Sequence, residues 1–248
     1  MRALSSIAFA ALVALAAPHV ASAQGEGEPS NPWNDGLTPG NYLRLSGGSV
    51  SPVSPHGTLR FWDRGSTFAV GWENWDTGTS GVGRVGFSLN AGYSMLPFKT
   101  DLFLANFTPV SGGTVTSATA KHAGVLEVTS GIRLRIPVPY LMPNISVGLG
   151  LIDWQPGEIK YEATSGNGTA KQQHRVSGEF SVGGGFDKNI IDRYAVFAEA
   201  LYVYGYTSYG SGFATPGGVC NTNACDTFRN GNTTLGVIRG GLRVRIGR

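Results

Sequence analysis

Arginine and glutamate alternate with apolar residues in several stretches of this sequence, such as LEVTSGIRLR and IRGGLRVRI. The charged positions of this pattern are Arg44, Glu73, Arg84, Glu127, Arg133, Arg135, Arg175, Glu179, Glu199, Arg239, Arg243 and Arg245. None is a lysine, and arginine is the cation preferred where ion pairs are confined and buried. The pattern therefore predicts a buried ion-pair network. Because eight arginines meet four glutamates, a narrow anion-preferring path is the alternative interpretation.

Two cysteines, Cys220 and Cys225, lie close together in the stretch CNTNAC. In an oxidising compartment, a pair this close is expected to form a disulfide. Closing so small a loop would stabilise the fold by about 2 kcal/mol in the chain-entropy model. A metal site needs more ligands, and no histidine is near in the sequence. We therefore predict a disulfide, no metal and no cofactor.

Catalytic chemistry has weaker support. His56, His122 and His174 lie at loops or at borders between a loop and a strand, and the sequence identifies no serine and acid to accompany them. The stretch GVGRVG (81–86) matches a dinucleotide-binding fingerprint, but that motif requires a following helix and an alternating stretch follows here. We predict a non-enzymatic protein, and a lipid-modifying enzyme that uses one of these histidines is the catalytic alternative.

The residues around these charges alternate with a period of two. In the stretch HRVSGEFSVGGGFD (174–187), Val176, Phe180 and Phe186 fall on one face, and Arg175 and Glu179 fall on the other. This period is typical of a β-strand with one apolar and one polar face. At roughly 10 residues or more, such a strand is long enough to cross a bilayer at a tilt.

Eight segments show the same alternation. The predicted strands span residues 41–51, 67–75, 84–96, 123–136, 144–154, 174–187, 194–207 and 233–246. The connections between them are alternately long and short, and this asymmetry is typical of transmembrane barrels with short periplasmic turns and long outer loops. The predicted fold is all-β: an eight-stranded antiparallel up-and-down transmembrane β-barrel.

The apolar face could form a core or a wall in contact with lipid. An arginine facing lipid at the bilayer centre costs about 2–4 kcal/mol, so eight arginines could not all point outward. Aromatic residues gather near strand ends on the apolar face and resemble the interfacial girdles of membrane barrels: Trp72, Tyr93, Phe186, Tyr194, Tyr204 and Tyr206. These observations favour a lipid-facing apolar wall. A soluble secreted barrel with an apolar ligand inside remains an alternative.

The N-terminal segment has the features of a signal peptide. Arg2 is followed by the apolar run AFAALVALAA and by the small-residue site Ala21-Ser22-Ala23. We predict a signal peptide at 1–23, a flexible tail at 24–40 and a barrel domain at 41–248. The formal net charge of +3 is too small to suggest nucleic-acid binding.

The strand pattern from about Asn41 to Ile246 resembles the small eight-stranded outer-membrane barrels of the OmpA, OmpX and OmpW kind. The resemblance implies Sec-dependent export and a place in the outer membrane of a Gram-negative-type envelope. We expect a monomer that contacts outer-membrane lipid and an extracellular partner through its loops. Its expected role is surface interaction, adhesion or envelope integrity. A narrow porin-like channel for small or hydrophobic solutes is the second interpretation.

Overall fold

Eight antiparallel strands close into a barrel in the computed structural model, which describes residues 39–53, 57–75, 84–109, 112–136, 142–170, 174–191, 193–206 and 233–246. The barrel strands are β1 (Gly40–Pro52), β2 (Gly65–Trp75), β3 (Arg84–Leu96), β5 (Ala123–Arg135), β6 (Met142–Gln155), β9 (Arg175–Ile191), β10 (Tyr194–Tyr206) and β11 (Thr233–Ile246). Each pairs with its neighbours in the chain order of the barrel strands, and β11 pairs with β1. The predicted eight-stranded up-and-down barrel is confirmed. β1 begins at Gly40, one residue before the predicted strand 41–51.

The predicted alternation of faces is also confirmed. Outward positions expose large apolar side chains such as Leu149 (64%) and Ile238 (62%), whereas the inward side chains of Arg44 and Glu199 are buried. Among the described residues of the eight barrel strands, only Asp153 and Lys188 are charged and outward-facing. The two lie towards opposite ends of the wall, so an uncharged apolar belt encircles the barrel between them.

Three barrel strands continue beyond the rim, at the end of the barrel that carries the long connections. β4 (Val115–Ala120), β7 (Ile159–Ala163) and β8 (Gly166–Ala170) form a separate antiparallel sheet in the order β4-β7-β8. The pairing of Ala120 with Ile159, between β4 and β7, continues the register in which Gly124 of β5 pairs with Gln155 of β6. The pairing of β7 with β8 likewise continues the register of β6 with β9. We call this extension of β5, β6 and β9 the blade.

The blade corrects the expectation that residues 97–122 and 155–173 are plain loops. Thr164 and Ser165 make its outer turn, and Gly166 follows with φ of 123°, a conformation that favours glycine. Pro156 and Gly157 lie between β6 and β7, in one arm of the long hairpin. They interrupt this arm without changing the register in which it pairs with β4 and β5. A Cβ atom on Gly157 would lie 2.6 Å from the backbone oxygen of Lys121, so the close approach of the two chains at this break requires glycine.

A short helix, α1 (Thr100–Asn106), packs against the blade. Its Phe103 is fully buried and stacks on Phe107, with ring centroids 4.5 Å apart. Phe61, at the end of a 3-10 helix (Gly57–Phe61), meets Phe103 edge-on at 5.3 Å. We call this the aromatic cluster; its buried members are Phe61, Phe103, Phe107, Val115, Ala118, Ile159 and Ala170. No helix among the described residues is long and apolar enough to cross a membrane.

Candidate functional site

The barrel interior holds a connected layer of buried ion pairs. The carboxylate of Glu199 contacts the guanidinium groups of Arg44, Arg133 and Arg239, with Arg133 Nη2 at 2.9 Å from Oε2. Glu73 lies 2.7 Å from Arg243 Nε and 3.4 Å from Arg133 Nε. Because Arg133 contacts both carboxylates, the pairs form one network and not a set of separate bridges.

Asp187 is the third acid of this layer, and the predicted network did not include it. Arg135 Nη2 lies 2.6 Å from Asp187 Oδ2, and Arg243 contacts Oδ1. Asn144 donates a further hydrogen bond to Asp187 Oδ2 at 3.0 Å. The inward position of Asp187 on the polar face of the stretch 174–187 was the available signal.

Aromatic rings hold the arginines on the side of the barrel with short connections. The guanidinium of Arg44 lies 3.9 Å from the ring centroid of Phe197, and that of Arg135 lies 4.1 Å from the ring of Trp75. Trp75 Nε1 donates a hydrogen bond to Glu73 at 3.2 Å. Tyr42, Trp75 and Ala195 form a small buried cluster at this end. Cation–π contacts of this kind stabilise arginine where water is excluded.

The remaining predicted members of the network are Glu127, Glu179, Arg84, Arg245 and Arg175. Arg239 joins the main layer to Glu127, whose Oε1 lies 3.5 Å from Arg239 Nη1. Glu179 is buried but forms no ion pair with the described residues. Arg84 and Arg245 are only half-buried near the short-connection end, where Arg245 Nη2 donates to the backbone oxygen of Pro39. The side chain of Arg175 lies outside the described part of the structure.

These positions change the expected count of basic and acidic residues inside the barrel. The fully buried charged side chains described are Arg44, Arg133, Arg135, Arg239, Arg243, Glu73, Glu127, Glu179, Asp187 and Glu199. Five cations thus face five acids, because Asp187 joins the set while Arg84 and Arg245 lie at the rim. The described interior therefore holds equal numbers of arginines and acidic residues.

A second, apolar layer fills the barrel on the side of the long connections. Leu59 and Trp62, from the connection between β1 and β2, are buried among inward-facing residues of the strand ends. The buried members of this apolar layer are Val50, Leu59, Trp62, Leu96, Ala123, Val125, Ile152, Trp154, Val203, Leu235 and Val237. Trp62 meets Trp154 edge-on, with centroids 6.3 Å apart. This layer was not predicted, although the inward positions of several strands are apolar towards this end of the barrel.

The connection that carries Trp62 is tied to its surroundings by polar contacts as well. Asp63 Oδ1 lies 3.2 Å from Lys99 Nζ, and Arg64 Nη2 donates a hydrogen bond to Ser49 at 2.9 Å. The backbone N–H of Arg64 donates to the Asp63 carboxylate and thereby lowers the pKa of Asp63. Trp62 also packs near Phe98, which contacts the aromatic cluster. The apolar layer and the folded structure above the rim are therefore continuous.

The predicted aromatic girdle lies on the outside of the barrel. Tyr93, Phe186, Tyr194 and Tyr206 are exposed, and Trp72 and Tyr204 are half-buried at outward positions. Phe186 and Tyr194 lie towards the short connections, whereas Tyr93 and Tyr206 lie towards the long ones. Both edges of the apolar belt thus carry aromatic residues. Cys220, Cys225 and His56 lie outside the described residues.

One ionisable pair lies on the outer wall, near the edge of the belt that faces the long connections. Asp153 Oδ1 is 2.6 Å from His174 Nε2, and Gln155 Nε2 donates a hydrogen bond to Asp153 Oδ2 at 2.9 Å. The Asp153 side chain is 17% exposed and that of His174 is 61% exposed. Among the described residues, no group of three or more His, Cys, Asp or Glu side chains could hold a metal ion.

Comparisons with known proteins give a general likeness in fold. No protein-family model and no curated protein matches the chain. Among solved structures, Neisserial surface protein A (NspA) is 9% identical with a TM-score of 0.46, covering 83% of this chain and 97% of that one. Ail, the attachment invasion locus protein of Yersinia pestis, is 12% identical with a TM-score of 0.40, covering 82% and 99%. The outer membrane enzyme PagL is 13% identical with a TM-score of 0.37, covering 83% and 99%.

At these identities and TM-scores, the similar structures carry no information about the activity of this chain. The barrel itself is defined by the pairing of its own strands. The resemblance to small eight-stranded outer-membrane barrels is confirmed at the level of strand number and closed topology.

Proposed function

We propose that this protein is an outer-membrane β-barrel with a closed interior, exported by a signal peptide at 1–23, and that its folded external surface carries its function. The uncharged apolar belt is the observation that supports this location. Soluble monomers rarely expose contiguous apolar patches larger than a few hundred Å². A ring of exposed residues such as Phe68, Leu149 and Ile238 requires another apolar phase around it. The buried charges inside fit the reversed polarity of a membrane barrel.

Membrane fractionation tests the location. We expect the protein to remain with outer membranes through a high-salt wash and to be released by detergent. The folded barrel should also migrate differently on a gel before and after heating. Extraction into buffer without detergent would instead support the soluble secreted barrel. That alternative needs an apolar ligand space, whereas charged and apolar layers of side chains fill the described interior.

The external function that we propose is surface interaction or adhesion, mediated by the blade and the structure packed on it. The aromatic cluster anchors one face of the blade, and the other presents polar side chains such as Thr119, Lys160 and Glu162. Ser117 donates a hydrogen bond to Glu162 at 3.0 Å, which links two strands on this exposed face. Binding to a pre-formed surface loses less conformational entropy than binding to loops that must first become ordered.

An adhesion assay tests this role. Cells displaying the protein should attach to an immobilised extracellular-matrix protein more than cells carrying the empty vector. The double variant Thr119→Arg/Lys160→Glu should reduce attachment while folded protein in the membrane is unchanged. Equal attachment by empty-vector cells would contradict an adhesive role. A contribution to envelope integrity is the second candidate, and it predicts increased detergent sensitivity of cells that lack the protein.

We also propose that the protein is not an enzyme. His174 has an acidic partner, but Ser177, the nearest serine of β9, occupies an inward-facing position. Lipid-deacylation assays on purified protein should show no activity. Activity that is lost on His174→Ala would support a lipid-modifying enzyme.

A further inference from the structure

Asp153 is the sole acidic residue at an outward position among the described residues of the barrel strands. Its Oδ1 atom is buried against His174, and its Oδ2 atom accepts a hydrogen bond from Gln155. An ionisable side chain on a wall that faces lipid is unfavourable and commonly marks a functional site. Asp153 Oδ1 lies 2.6 Å from the Nε2 atom of His174, whose side chain is 61% exposed to the surroundings of the barrel.

An apolar dent lies beside this pair on the same wall. Gly178 faces outward, and a Cβ atom built on it would meet nothing within 4 Å. Leu151 of β6 and Tyr206 of β10 lie opposite Gly178 on its two neighbouring strands. Val176 and Phe180 flank it along β9, and all four side chains are exposed. With about 3.3 Å per residue, the dent lies roughly 13 Å along the chain from His174, towards the middle of the belt.

We propose that the His174–Asp153 pair and the Gly178 dent form a binding site for one acyl lipid of the surrounding membrane. An acyl chain occupies the dent between Val176 and Phe180. The polar linkage of the lipid, a phosphate or an ester carbonyl, accepts a hydrogen bond from the imidazole of His174. Asp153 Oδ1 lies against Nε2 of the imidazole, so the second ring nitrogen, Nδ1, is the one that faces the lipid. The site rests on the proposed membrane location.

The combination distinguishes this place from the rest of the wall. Other outward glycines and alanines, such as Gly184 and Ala200, lie among apolar neighbours without an ionisable pair above them. A lipid that contacts the belt non-specifically would occupy all of these positions equally. A lipid held at the Gly178 dent gains a polar contact at the level where its own polar linkage lies.

Native mass spectrometry tests the site. The full-length protein is reconstituted in phosphatidylglycerol vesicles, checked for flotation with them, and extracted in mild detergent. We expect one phosphatidylglycerol retained per barrel. His174→Ala and Gly178→Leu should each lower the retained fraction about tenfold, equivalent to about 1.4 kcal/mol. Asp153→Asn should lower it as well, because the imidazole loses the partner that orients it.

The matched control is Ala200→Leu, an equivalent enlargement on the same outer wall away from the pair, and it should retain lipid like the wild type. Vesicles doped with diacylglycerol, which has no phosphate, and washing with inorganic phosphate distinguish the contact. Retention of diacylglycerol supports an ester contact at His174, whereas displacement by inorganic phosphate supports a phosphate contact.

The possible failures are distinguishable. A wild-type protein that floats but retains no lipid contradicts the site alone, as does equal retention by His174→Ala and Gly178→Leu. A wild-type protein that does not float contradicts the membrane location, and the site with it. Gly178→Leu is expected to fold because its new side chain enters open space. His174→Ala is also expected to fold because residue 174 lies outside the strand. Loss of lipid in both variants would therefore not be explained by misfolding of either one.

Discussion

At the scale of single residues, the buried carboxylates of the interior are not equivalent. Glu199 contacts three arginines, whereas Glu179 forms no ion pair with the described residues. Removing one partner of a buried ion pair is far more costly than removing a buried group that forms no ion pair. Both glutamates were predicted to belong to the same network. Their different contacts depend on the depth of each residue and on the register of its strand.

Glu199→Gln should therefore destabilise the barrel strongly. It leaves Arg44, Arg133 and Arg239 with too little negative charge, at a cost of about 3–5 kcal/mol. The measurement is the temperature at which the folded, fast-migrating gel band is lost. Glu179→Gln is the matched control and should leave this temperature nearly unchanged. Equal losses in both variants would contradict the ion-pair assignments.

Inward glycines provide a second comparison between residues. A Cβ on Gly131 would lie 2.5 Å from the backbone oxygen of Val147, and the pairing of two strands prevents that oxygen from moving away. A Cβ on Gly92 would lie 2.6 Å from the end of the Glu127 side chain, which can rotate. Gly131→Ala should cost about 1–3 kcal/mol and Gly92→Ala less. Unfolding in urea from detergent micelles measures both, and the reverse order would contradict the strand register described.

Alternation in the sequence assigned each charged residue to a side of the wall but did not specify which of these residues contact one another. Arg84 and Arg245 follow the inward pattern, yet they lie near strand ends where the interior opens. Asp187 lies near the same end and enters the network because Arg135 and Arg243 point towards it. Depth depends on the stagger of neighbouring strands around the closed barrel, which a period of two does not specify.

At the scale of elements, the blade is stabilised by α1 and not by its own length. Its strands have five or six residues, and a small sheet of this size needs packing against another element. Phe103 provides that packing from the centre of the aromatic cluster. The blade was missed in the sequence because its strands are short and rich in Gly, Ser and Thr, and because Pro156 and Gly157 interrupt the apolar alternation of β6.

Phe103→Ala should loosen the blade while the barrel stays folded. Loss of a buried phenylalanine costs about 3–5 kcal/mol, and this cost falls on the aromatic cluster above the rim. Hydrogen exchange should accelerate at Val115–Ala120 and Ile159–Ala163 and stay slow at Ala123–Arg135. Asp101→Ala, on the exposed side of the same helix, should change neither region. Simultaneous acceleration in β5 would mean that the blade and the barrel unfold as one unit.

At the scale of the whole molecule, the belt makes a prediction about insertion into the membrane. Leu149 is 64% exposed near the middle of β6. Leu149→Arg should lower barrel stability in vesicles by about 2–4 kcal/mol, the cost of a cation facing lipid near the bilayer centre. Thr119→Arg, on the exposed face of the blade, should leave stability within about 0.5 kcal/mol. Similar effects of the two changes would indicate that both positions face water.

The layers inside the barrel determine what can pass through it. A layer of buried ion pairs lies towards the short connections, and the apolar layer with Trp62 lies towards the long ones. An ion crossing the barrel would have to displace both layers, because each fills the interior with side chains that are almost fully buried. We therefore expect no steady conductance from the purified protein in planar bilayers.

Trp62→Ala should remain non-conducting as well, because the ion-pair layer below it is intact. Steady anion-selective conductance of the wild-type protein would contradict the closed interior and favour the narrow channel. Conductance that appears only in Trp62→Ala would show that the apolar layer alone is the barrier.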